Sequence, residues 1–202
     1  MRFSAAALTL ALAATATAEL DAVKILEEMM PNFKCKDTKE CRTPAQSAPF
    51  IVNSMKRWQV CNPNAMAAIV SLMAFESGNF TYKHNAFPGR PGQGTANMQM
   101  ANFNLLYAQD IPELKDKVSN ITDVKGASNE TLNYILSLVQ PDEYNFGSGP
   151  WFYQKQCDKG VHDAMEKNAD EGFAAYMKCV GVQVTDDRKA YFTRAKKAFG
   201  LA

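Results

Sequence analysis

The sequence predicts a mainly α single domain. Three observations carry that prediction. Apolar residues recur at helical spacing through most of the chain, the alternation expected of strands is weak throughout, and Gly, Pro and Asn clusters fall between the periodic segments. At 202 residues the chain is long enough for one domain with a sizeable core, and neither repeats nor a linker divide it.

The first segment is read as a leader. Met1-Arg2 opens a short apolar, alanine-rich run that ends in Ala16-Thr17-Ala18, the pattern of a secretory signal peptide. It is too short to remain as a membrane anchor. The expected division is a signal over 1–18 and a folded domain over 19–202, exported to the extracellular space. With 22 Lys+Arg against 21 Asp+Glu, the charges nearly balance. Nothing in that balance supports a nucleic-acid or anionic-membrane partner.

Residues 19–30 read as a short helix with Leu20, Val23, Ile25 and Leu26 as its apolar points, ended by Pro31. A polar loop with two cysteines follows over 31–44. Residues 45–60 read as a helix with Phe50, Ile51, Met55, Trp58 and Val60 inward. Next comes the stretch that organises the chain. Asn62 suits a helix cap and Pro63 the first helical position. From Ala65 to Phe75 the only polar side chain is Ser71, so this helix is expected at the centre of the core. It ends in Glu76-Ser77-Gly78. A carboxyl in the last turn of a buried helix meets the negative end of the helix dipole and apolar surroundings. Both favour its protonated form, which a general acid needs.

Residues 78–97 form a long irregular loop, an uncommon feature that is often functional. Short helices are expected over 98–108 and, as two small turns, within 111–124. Another is expected over 129–138, with Leu132, Ile135 and Leu138 on one face. Residues 142–152 read as an aromatic turn region. Two helices close the chain, about 161–178 and about 185–199, the second with Arg188, Lys189, Arg194, Lys196 and Lys197 outward.

Five cysteines in an exported chain make disulfides the default. Cys157 with Cys179 is the best pair, because an intervening helix brings both ends together. A weaker preference joins Cys41 to Cys61, with Cys35 left over. No Cys-x-x-Cys occurs and His84 and His162 are isolated, so no metal or other cofactor is expected. Sequons at Asn120 and Asn129 are the better glycosylation candidates. A third, at Asn79, lies close to Glu76.

Three short motifs then stand in one order: Glu76-Ser77, Gly94-Thr95-Ala96-Asn97-Met98-Gln99-Met100, and Tyr144-Asn145-Phe146-Gly147. Over about 62–152 they resemble the soluble lytic transglycosylase and goose-type lysozyme family, with Ala96 and Glu143 departing from its pattern. The resemblance implies a lysozyme-like fold and a secreted enzyme that cleaves N-acetylated cell-wall polysaccharide. Peptidoglycan is the expected substrate and chitin the alternative. It implies Glu76 as single catalytic acid/base, since no Asp or Glu lies between Glu76 and Asp110. Ser77, Gln99, Tyr144 and Asn145 are implied as substrate-binding residues, and Tyr82, Phe87, Trp151 and Tyr153 are candidate sugar-stacking faces. The competing readings are a non-catalytic glycan-binding protein of the same fold and a secreted interaction protein with no glycan site.

Overall fold

A computed structural model describes residues 21–35 and 39–201. The expected signal peptide lies outside the described residues. The fold is mainly α, as expected, and no strand forms among the described residues beyond isolated bridges at His84, Gly94 and Gln99. Among the same residues no helix is long and apolar enough to cross a membrane.

The chain runs through α1 (Ala22–Met29), α2 (Pro44–Arg57), α3 (Pro63–Glu76), α4 (Ala101–Asp110) and α5 (Asn129–Val139). It continues through α6 (Asp142–Asn145), α7 (Ser148–Gln156), α8 (Lys159–Lys167), α9 (Ala169–Val180) and α10 (Asp186–Ala198). A 3-10 turn over Lys115–Val118 lies between α4 and α5.

α3 is the axis. The Asn62 side chain accepts from the Asn64 and Ala65 amides and closes its first turn. Ala65, Ala67, Ala68, Ile69, Met73 and Ala74 are all fully buried, so the helix is enclosed by α7, α8, α9 and α10. Its alanines allow those neighbours to approach closely. α7 comes nearest at Gly149, where a Cβ would stand 2.5 Å from Met73 Sδ.

Three boundaries differ from the sequence reading. Residues 142–152 are helical rather than a turn region, in α6 and the first part of α7. Burial of Trp151, Phe152 and Tyr153 outweighs the turn preferences of Gly147 and Gly149, and Pro150 is tolerated in a first turn. The helix expected over 161–178 is two helices. Asn168 leaves helical geometry at φ −155° and its side chain accepts from the Asp170 and Glu171 amides, capping α9. Met98–Met100 precede α4 rather than beginning it, with Gln99 bridged to Gly94 and Met100 extended as the N-cap.

The disulfides also differ. Cys157 is joined to Cys179, and Cys41 is joined to Cys35, not to Cys61. Cys61 is a free, exposed thiol at the α2–α3 junction, while Cys35 and Cys41 stand 6 positions apart in the chain.

A carboxylate ties the long loop to the helices. Asp142, at the start of α6, accepts from Arg42 Nε at 2.7 Å and from Lys83 Nζ. Burial pushes its carboxyl up, but the two cations and their hydrogen bonds outweigh that and hold it below the usual carboxylate range. A depressed carboxyl contributes stability above its unfolded pKa and loses it as pH falls through the folded value. Asp142→Asn is therefore expected to destabilise the protein by about 1–3 kcal/mol at neutral pH. The gap between variant and parent should close below about pH 4. Urea midpoints across pH check both parts.

Candidate functional site: a polar cleft and an apolar groove

The cleft is made by the end of α3 and the loop after it. Glu76 closes α3, and Ser77 bonds Met73 O and receives the Phe80 amide, turning the chain sharply. Asn79, Phe80, Thr95 and Met98 all have left-handed φ, at 60°, 61°, 64° and 44°. Non-glycine residues held there are strained, and such strain concentrates at functional sites. The loop's two limbs pair through Thr95 N to Lys83 O and Asn85 N to Gln93 O. Gly94 sits at the crossing, where a Cβ would lie 2.5 Å from Lys83 O. The resulting cleft of about 360 Å³ is lined by Glu76, Tyr82, His84, Asn85, Phe87 and Gln93, with Ala86 and Met98.

Glu76 is not the isolated acid expected from the sequence. Its Oε1 accepts a 2.7 Å bond from Arg188 Nη2, and the Arg188 guanidinium also lies 4.7 Å above the Phe75 ring. The sequence reading placed Arg188 outward, but the α3–α10 packing turns it inward. Nothing local signals that pairing, because 112 residues separate the partners. His84 Nδ1 lies 2.7 Å from Glu40 Oε1, a pairing equally invisible in the sequence.

The other expected site residues do not line this cleft. Ser77 is fully buried as the helix-ending hydroxyl just described. Gln99 is buried with its Nε2 donated to Asn104 Oδ1 and its Oε1 unpartnered. Tyr144 supplies its carbonyl to the Tyr107 hydroxyl, and burial, followed by a bond and charge from Glu143, pushes its own phenol up. Asn145 is buried with an unpartnered Oδ1. Of the proposed stacking faces, Tyr82 and Phe87 reach the cleft, whereas Trp151 and Tyr153 belong to the core. Asn120 and Asn129 are exposed, and Asn79 is partly covered.

A second concavity lies toward the other end of α3. Ile25 and Leu26 of α1, Ile51 and Met55 of α2, Val70 of α3 and Phe199 form a groove of about 350 Å³ whose walls are almost wholly apolar. Lys56 and the Cys61 thiol stand on its lining. Lys56 makes no ion pair with a carboxylate among the described residues. The groove falls in the size range of small-molecule sites, which are characteristically apolar with few polar groups. Sequence reasoning missed it. Apolar residues on α1 and α2 are visible in the chain, but whether a neighbour covers them is not.

The fold and these two concavities define a helical protein with one polar cleft and one apolar groove. Among proteins of known character, the chain is 52% identical over 157 residues to a bifunctional dioxygenase–epoxy alcohol synthase of Fusarium oxysporum. The match covers 77% of this chain but 12% of that protein. No protein-family model matches the chain, and no solved structure matches it.

That relative overturns the resemblance to lytic transglycosylases and goose-type lysozymes. With it fall the glycosidase activity, the cell-wall polysaccharide partner, whether peptidoglycan or chitin, and the glycan-binding alternative. The physical reason the motifs misled is visible in the fold. Ser77 ends a helix, Met98-Gln99 makes a turn braced by Asn104, and Tyr144-Asn145 is a short helix after Pro141. Each has a structural task that recurs in unrelated helical proteins.

Proposed function

We propose that this chain is an accessory module that binds the apolar chain of an unsaturated fatty acid in the groove between α1, α2 and α3. The observation that carries the reading is the groove itself, with apolar walls and a lysine on its lining. The relative's name supplies the ligand class. A dioxygenase and an epoxy alcohol synthase acting in turn need an unsaturated carbon chain, which first takes up O₂ as a hydroperoxide and then rearranges to the epoxy alcohol. The Lys56 ammonium complements the carboxylate of such a ligand, and the apolar walls favour its chain by removing it from water.

Binding rather than oxygenation is assigned to this chain because its donor set does not fit a resident oxygenating metal. Among the described residues no three His, Cys, Asp or Glu side chains converge, and His162 packs edge-on to Tyr153. The chain also spans only 12% of the relative. Export through residues 1–18, with glycans on Asn120 and Asn129, is a separate proposal. N-terminal sequencing and glycopeptide mapping of protein from culture medium test it.

The test of the binding reading is displacement of a fluorescent fatty-acid probe by a C18 polyunsaturated acid. The acid should displace the probe from the unmodified protein. Ala22→Trp, which puts a large side chain on the groove lining, should abolish binding, and Lys56→Glu should weaken it at least tenfold. Absence of displacement, or unchanged affinity in Ala22→Trp, overturns the reading.

A further inference from the structure

We infer that the Glu76 cleft opens the epoxide ring of an epoxy alcohol by adding water, giving a triol. The inference rests on the fatty-acid reading above for its ligand class and on the cleft for its chemistry. The groove can hold a carbon chain but has no pair of groups to move protons. The cleft has them. It is a separate concavity beyond the other end of α3, built by four strained non-glycine residues and carrying a carboxylate and a phenol on one lining.

Two features suit Glu76 to act as a base. Arg188 engages only its Oε1, and its Oε2 accepts no hydrogen bond among the described residues. The same contact holds the carboxylate in place, since Arg188 is itself anchored over Phe75. Behind it the buried Tyr176 hydroxyl has no partner, and its phenol is pushed up by burial first, then by Tyr153 and the Glu76 charge. Tyr176 therefore stays neutral and does not compete for the proton. On the same lining, Tyr82 is half exposed, and its ring lies against Gly78. Gly78 itself holds the left-handed φ of 58° that turns the chain out of α3 and brings Tyr82 to the cleft lining. Phe87, 93% exposed at the loop tip, offers an apolar edge to the carbon chain flanking the oxirane.

The step balances with water as sole co-reactant. A water oxygen bonds to one oxirane carbon while Glu76 takes its proton. The carbon–oxygen bond of that carbon breaks, and the released oxygen takes the Tyr82 phenolic proton. Solvent then carries the proton from Glu76 back to Tyr82. Nothing is oxidised or reduced. The product is the epoxy alcohol plus one water, so this reaction consumes what an epoxy alcohol synthase makes.

The experiment incubates the protein with a C18 epoxy alcohol in ¹⁸O-water and follows the triol by mass spectrometry. The unmodified protein should form triol carrying one ¹⁸O well above the protein-free rate. Glu76→Gln should lower the rate by about 10²–10⁴-fold, the range of general acid–base catalysis, and the exposed Tyr82→Phe by at least tenfold. Tyr82→Phe should keep the parent's urea midpoint, and both variants should keep the parent's groove affinity for the fluorescent probe, which shows that Glu76→Gln is folded although it gives up the Arg188 ion pair. Binding of the probe without triol formation, or full rate in Glu76→Gln, overturns this inference and leaves the fatty-acid reading intact. Glu76-dependent triol without groove binding overturns the fatty-acid reading and leaves this one standing.

Discussion

Trp151→Ala is expected to lower the unfolding free energy by about 3–5 kcal/mol, the range for deleting a large aromatic from a packed core. Trp151 is fully buried in α7. Its ring packs 5.1 Å from that of Tyr107, and its Nε1 donates to Asp110 Oδ2 at 2.7 Å. It thus joins α7 to α4 by packing and by a hydrogen bond to a carboxylate at the α4 end. Trp151→Phe separates the two contributions. It keeps an aromatic ring but leaves Asp110 without that donor, and should cost less than the alanine variant. The measurement is urea unfolding. An unchanged slope with a shifted midpoint marks a loss of stability rather than a change in the unfolded chain. Equal destabilisation by both variants would show that the hydrogen bond outweighs the packing.

Removing the Cys157–Cys179 bridge, as the double serine variant, is expected to cost about 3 kcal/mol. The bridge closes a loop of 22 residues, joining the end of α7 to the last turn of α9 across α8. Its main effect is on the unfolded chain, which loses conformations when the two ends are tied. The Cys35–Cys41 bridge closes a separation of 6 and is expected to contribute about 2 kcal/mol by the same relation. Unfolding of the two double variants side by side tests the order. Non-reducing peptide mapping tests the pairing, with Cys61 alkylated as the free thiol.

Where the sequence was legible, the signal was local. Asn62-Pro63 caps and starts α3, and the near absence of polar side chains along it announces a buried helix. The Asn168 break was also local, an N-cap followed by Asp170 and Glu171, but the continuous periodicity on both sides concealed it. Turn residues misled over 142–152, because local preference is weak beside the burial of Trp151 and its neighbours. The motif resemblance failed for a related reason. Short runs of cap and turn residues carry little information when each is used to end a helix or close a turn.

By itself, the sequence determined the helical class, the central helix and the caps that bound it, because those depend on neighbours within a few residues. Only the tertiary structure decided that Arg188 meets Glu76, that Cys41 bonds Cys35, that Gln99 and Tyr144 stay away from the cleft lining, and that an apolar groove opens beside Lys56. All but the Cys35–Cys41 bridge depend on how distant elements pack together. That packing is set by the fit of whole helix faces, which no short stretch of residues encodes.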